Sequence, residues 1–109
     1  MKNYCYLFTR QDISPEQQVV QTAHAAMKLG YLAHDNMVPL DPDNTYFTVV
    51  GVRNEEALYA VVKLLNKFEY SFEVFVEPDI GGQVTSIATY PINENNRGPL
   101  LAFNLLKMK

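Results

Sequence analysis

Asn3-Tyr4-Cys5-Tyr6-Leu7-Phe8-Thr9-Arg10, followed three positions later by Ser14-Pro15-Glu16-Gln17, decides how this chain folds. The first eight residues are rich in aromatic and other β-favouring side chains and predict a strand. The next four read as a helix start. Ser accepts from an orphan backbone N–H as the cap, and Pro fits the first helical position because its missing N–H is not needed there. Gln at the third position completes a capping box. The helix is predicted over about residues 15–34. Val20, Ala23, Met27, Gly30 and Tyr31 recur at helical spacing and are predicted to face a core. Ala23, Ala26 and Gly30 are small enough to let the helix lie close to a sheet. Strand, helix and returning strand imply a right-handed parallel crossover.

The pattern continues toward the C-terminus. Residues 35–44 hold Pro39 and Pro42 and read as a loop. Residues 45–53 predict a second strand centred on Val49 and Val50. Asn54 caps a second helix, with Glu55 and Glu56 in its positive first turn and a buried stripe of Leu58, Val61, Val62 and Leu65. Residues 71–77 alternate Phe72, Val74 and Val76 with Glu73, Phe75 and Glu77, as a third strand should. Residues 78–82 are a turn, 83–89 a fourth strand and 93–98 a polar loop. Residues 99–107 read as a short helix. The third and fourth strands are joined by a short turn, so they pair antiparallel or splay apart around a site. The expected architecture is a single α/β domain over residues 1–109. It has a mixed four-stranded sheet with helices packed on it, in the order β-α-β-α-β-β plus a C-terminal helix.

Composition narrows the function classes. The chain has 109 residues, 48% hydrophobic and 19% charged, which suits one globular domain rather than a disordered segment. No apolar run approaches the roughly 20 residues that cross a bilayer, and the first residues lack the apolar stretch of a signal peptide. One cysteine excludes an internal disulfide, and Cys5 among strand residues reads as a buried thiol. These features point to the cytoplasm. A net charge of −3, with nine scattered basic residues, argues mildly against tight nucleic-acid binding. Two His and one Cys at these spacings do not make a zinc site, and no phosphate-cradling glycine loop is present. No metal or cofactor is expected.

Three segments carry a resemblance: Arg10-Gln11-Asp12-Ile13, Val19-Val20-Gln21-Thr22-Ala23-His24-Ala25, and Asp79-Ile80-Gly81 with Thr85-Ser86-Ile87-Ala88. In order and spacing they resemble the motifs of the type II peptidyl-tRNA hydrolases, over about residues 3–90. The resemblance implies a cleft that binds the ester-linked end of peptidyl-tRNA and hydrolyses the ester. It gives Asp79 the role of orienting or activating water, and Thr85 that of its hydroxyl partner. Arg10, Gln17, Gln21, His24 and Gly81 fall at substrate-binding positions. The chain departs from the pattern at three places. Gln17 stands where the family has a Lys inside the first helix, Gly51 replaces a second expected Lys, and two extra residues separate Gly81 from Thr85.

The residues themselves allow blander roles. Asp79 suits a turn, Thr85 a strand, and Arg10 and Asp12 suit each other. His24 suits the edge of a core. The alternative function is a relative that binds a nucleotide, RNA end or protein partner without turnover. A third is assembly, through an exposed strand or through the apolar tail of Leu100, Leu101, Phe103, Leu105 and Leu106, which must cover the domain's own core or meet a second copy.

Overall fold

The computed structural model describes residues 2–103. Its elements follow the predicted order. β1 (Asn3–Arg10) leads into α1 (Pro15–Asp35), β2 (Thr45–Val52) and α2 (Glu55–Lys67). β3 (Phe72–Glu77) and β4 (Gln83–Thr89) follow, then a two-residue strand, β5 (Ile92–Asn93). The sheet order is β2-β1-β4-β3, with β5 pairing β1 off that path. β1 and β2 are parallel, and β4 runs antiparallel to both β1 and β3. The open alternative for the third and fourth strands is thus resolved as pairing. The sheet is mixed, as expected.

The helices lie on opposite faces because β1 alternates. Tyr6 and Phe8 join Leu58, Val61 and Leu65 of α2, while Cys5 and Leu7 join Ala25 and Leu29 of α1. Both helices begin as the sequence predicts. The Ser14 hydroxyl accepts from the Gln17 N–H at 3.2 Å, and Asn54 Oδ1 accepts from the Ala57 N–H at 3.0 Å. Neither helix ends on glycine. Met37 and Glu69 take left-handed conformations, with φ of 57° and 60°, so that the next residues can bond back to Ala33 and Leu65.

Two expectations are corrected. The buried face of α1 is Gln18, Gln21, Ala25, Leu29 and Ala33. Val20, Met27 and Tyr31 are exposed instead, at 41%, 67% and 70%, while Ala23 is exposed and Gly30 half-buried. Hydropathy alone misplaces this face by two residues, roughly half a turn of the helix. β4 presents two hydroxyls to the helix, and those need hydrogen-bonding partners once buried. The Gln21 side chain accepts from Thr85, which a valine there could not do, and its backbone carbonyl accepts from Ser86. The second correction concerns the C-terminus, where residues 98–100 form a 3-10 turn rather than the start of a regular helix. Leu100 is buried and the Phe103 ring meets Phe8 edge-on at 5.1 Å, so this part of the tail covers the domain's own core. Leu101 is exposed, and Leu105, Leu106 and the rest of the expected helix lie outside the described residues.

Cys5 is fully buried, and burial pushes its thiol up to about 11. The thiolate is the reactive form. The folded chain is therefore expected to react with a thiol reagent at pH 8 only as fast as it opens, and promptly in denaturant. Fast labelling of the native protein would contradict the packing of β1 against α1.

Candidate functional site

α1 starts beyond the end of β1, α2 beyond the end of β2, and the turn at residues 78–82 follows the end of β3. These three strands point the same way, so their carboxyl ends share one rim of the sheet. Crevices at such rims are the usual ligand sites of open α/β sheets. Asp12, Gln17, Glu55, Asp79 and Gly81 all belong to segments at this rim.

Gln21 ties the rim together. Its side chain is 1% exposed, and its Oε1 accepts from the equally buried Thr85 hydroxyl at 2.7 Å. Its Nε2 donates to Glu77 Oε2 at 3.0 Å and to Gln17 Oε1 at 3.2 Å. Its backbone carbonyl accepts from Ser86 Oγ at 2.7 Å. One side chain thus joins the first turns of α1, the end of β3 and the start of β4. The turn bearing Asp79 therefore sits beside the beginning of the long helix, as the motif reading requires.

Thr85 reaches Gln21 through a β-bulge. Ser86 pairs with Phe75 and Val84 with Val76, so Thr85 has no partner in β3. The extra residue lets Thr85 and Ser86 both turn to α1, while Val84 and Ile87 point into the α2 core. Gly81 and Gly82 take φ of 62° and 71°, where a side chain would be strained.

The other candidates fall as follows. Asp79 is exposed on a 3-10 turn, Pro78–Ile80, and its N–H is held by Glu77 Oε1 at 3.2 Å. The Gln21 amide and the Asp79 N–H hold the Glu77 carboxyl below its ordinary range, with help from His24. His24 is half-buried and stacks on Phe75, with ring centres 4.8 Å apart and planes within 10°. Arg10 is committed to the protein. Its Nε and Nη2 donate to the two Asp12 oxygens at 2.6 and 2.7 Å, and Nη1 donates to Gln83 Oε1 at 2.7 Å and to the Val84 carbonyl at 3.3 Å. The paired guanidinium lowers the Asp12 carboxyl. Arg10 thus braces the β4 side of the rim from the α2 face, where Glu55 Oε2 also accepts from the Val84 N–H at 2.8 Å.

Gly51 is explained by its neighbour. A Cβ at that position would meet the amide end of the Gln11 side chain at 2.4 to 2.8 Å, so a larger residue there requires that side chain to swing aside. Gln17 is exposed, and Gln21 holds its oxygen, leaving its side-chain nitrogen without a protein partner among the described residues. Glu77 and Gln83 are site residues that sequence reading passes over. Their signal was their place at either end of the turn, two residues from Asp79 and two from Thr85.

Among the described residues no group of His, Cys, Asp and Glu could hold a metal, and no helix is long and apolar enough to cross a membrane. A concavity of about 580 Å³ lies at the opposite end of the sheet, between Asn36, Phe72, Glu73 and Tyr90. It contains none of the motif residues.

No family model and no curated protein matches this chain. Among solved structures it is similar to that of a protein of unknown function, Atu0240, from Agrobacterium tumefaciens strain C58. The TM-score is 0.68 at 12% identity, over 98% of this chain and 99% of that one. A likeness at that identity carries the fold and no more.

Proposed function

We propose that the chain is a divergent relative of the type II peptidyl-tRNA hydrolases and that its rim hydrolyses an acyl ester of that kind. The observation that carries this is the Gln21 junction, which gathers the segments of the motif around Asp79. In this reading the Asp79 carboxylate accepts a proton from water as the water attacks the ester carbonyl. The tetrahedral intermediate then collapses, its bond from carbonyl carbon to ester oxygen breaks, and Asp79 returns the proton to that departing oxygen, giving the free acid and the nucleotide hydroxyl. The oxyanion is met by neutral donors: the Gln17 side-chain nitrogen and the Glu16 N–H, since Pro15 has no N–H and Ser14 takes those of Gln17 and Gln18. Thr85 is a positioning residue, since its hydroxyl is spent on Gln21.

The test is release of peptide from peptidyl-tRNA by the purified chain, followed at substrate excess. Gln17→Lys adds back a cation where developing charge is expected. It should raise the rate at least about tenfold, the factor that roughly 1.4 kcal/mol of added transition-state stabilisation supplies. An unchanged rate would count against Gln17 adjoining the ester.

A second reading is favoured by the charge at the rim. Asp12, Glu55, Glu77 and Asp79 gather there, and Arg10 is already paired with Asp12. With its arginine spent on Asp12, this rim lends a developing oxyanion less help than the family's lysine would, which suits binding without turnover. That reading predicts no peptide release, together with a melting temperature that rises when an aminoacylated RNA end or a nucleotide is added.

A further inference from the structure

The two edges of the sheet are built differently. β3 is guarded. It has six residues, carries Glu73 and Glu77, and pairs with β4 across the bulge that falls opposite Phe75 and Val76. Lys28 Nζ also donates to its Val74 carbonyl at 2.8 Å. These are devices by which natural sheets discourage pairing with another chain. β2 has none of them. Its eight residues, Thr-Tyr-Phe-Thr-Val-Val-Gly-Val, include no charge and no proline, and pair with β1 in unbroken register from Asn3↔Thr45 to Arg10↔Val52. Tyr46 and Phe47 on this edge are 48% and 58% exposed.

One hydrogen bond fixes which backbone groups remain open. The Gln11 N–H donates to the Val52 carbonyl at 2.7 Å, so Val52 turns its polar groups toward β1. Backbone direction alternates along a strand. Tyr46, Thr48, Val50 and Val52 therefore face β1, and Thr45, Phe47, Val49 and Gly51 present their N–H and C=O groups outward.

We propose that two copies of this chain associate through β2, antiparallel across a two-fold axis at Thr48, joining two sheets into one. That register sets Thr45 against Gly51 and Phe47 against Val49 of the second copy, and the reverse, so each outward residue meets an outward residue. It keeps facing side chains on one side of the sheet. Phe47 and Val49 lie on the α1 side, as do Cys5 and Leu7 beside them in β1. The contact is isologous and closes.

Charge favours this register. Arg53 follows the last residue of β2 and Asp43 lies in the turn just before its first, so each Arg53 comes to the Asp43 end of the other copy's strand. Arg53 is exposed and makes no ion pair among the described residues. Lys2, over the Tyr46 ring at 5.5 Å, is the like charge nearest that end, and Asp41 and Asp43 outnumber it.

Sedimentation of the full chain tests the proposal, with twice the 12.4 kDa chain mass expected. Phe47→Lys alters an exposed side chain and should yield a monomer with an unchanged circular dichroism spectrum. Arg53→Glu should weaken the dimer about tenfold, since it brings like charges together at two sites. Adding Asp43→Lys to Arg53→Glu should restore it. Hydrogen exchange gives a second readout. Amides of Phe47, Val49 and Gly51 should be protected at high concentration and lose protection on dilution, while those of Thr48, Val50 and Val52 stay protected. A monomer at all concentrations would overturn the proposal. So would a dimer indifferent to Phe47→Lys, or one lost only when residues 104–109 are removed.

Discussion

Gln21→Leu should lower the melting temperature by roughly 10–20 °C, the largest stability loss expected from changing any one polar side chain here. The substitution keeps the volume and the helix propensity. It strands the Thr85 hydroxyl, which is fully buried and has its 2.7 Å bond to Gln21. Leaving such a group unpaired costs about 1–3 kcal/mol, and the amide's own bonds are lost besides. A melt followed by circular dichroism measures the effect. A shift of only a few degrees would mean that water satisfies Thr85 and that the junction is looser than its distances imply.

The same variant makes a prediction in pH. The Gln21 amide is the foremost cause of the depressed Glu77 carboxyl. A depressed carboxylate contributes stability above its unfolded pKa and loses it as pH falls through the folded one. Glu77 should therefore titrate at a higher pH in Gln21→Leu than in the parent, read by NMR of its side-chain carboxyl. The turn should also loosen on acidification sooner in the variant.

Most of the fold is legible in the sequence because it rests on local signals. Ser14-Pro15 and Asn54 place both helix starts, the aromatic, β-favouring run of residues 3–10 places the first strand, and Gly81-Gly82 marks the turn. What hydropathy misses is the face of α1. Apolar periodicity points to Val20 and Met27, yet the helix buries Gln18 and Gln21. Such a face is decided by which groups on the sheet need partners, and Thr85 and Ser86 acquire that need only through a bulge that no periodicity announces. Arg10 shows the converse. Its spacing from Asp12 suggests a pair, and the structure has that pair, but the reach to Gln83 seventy-three residues away is tertiary. At the rim, only the structure shows the Gln11 amide lying over Gly51.

Asp79→Asn separates chemistry from scaffold. Asp79 is exposed, and the position of its turn is set by the Glu77 carboxylate, Pro78 and the left-handed Gly81 rather than by its own side chain. The variant should melt within about 0.5 kcal/mol of the parent, as exposed substitutions do. Ester hydrolysis, by contrast, should fall about 10²–10⁴-fold, the usual worth of a positioned base. Asn keeps the shape and can still orient a ligand, so binding should survive. Peptide release lost with melting and binding intact would assign the proton transfer to Asp79. Release that continues unchanged in Asp79→Asn would remove Asp79 from the reaction and leave the acidic rim to the binding reading.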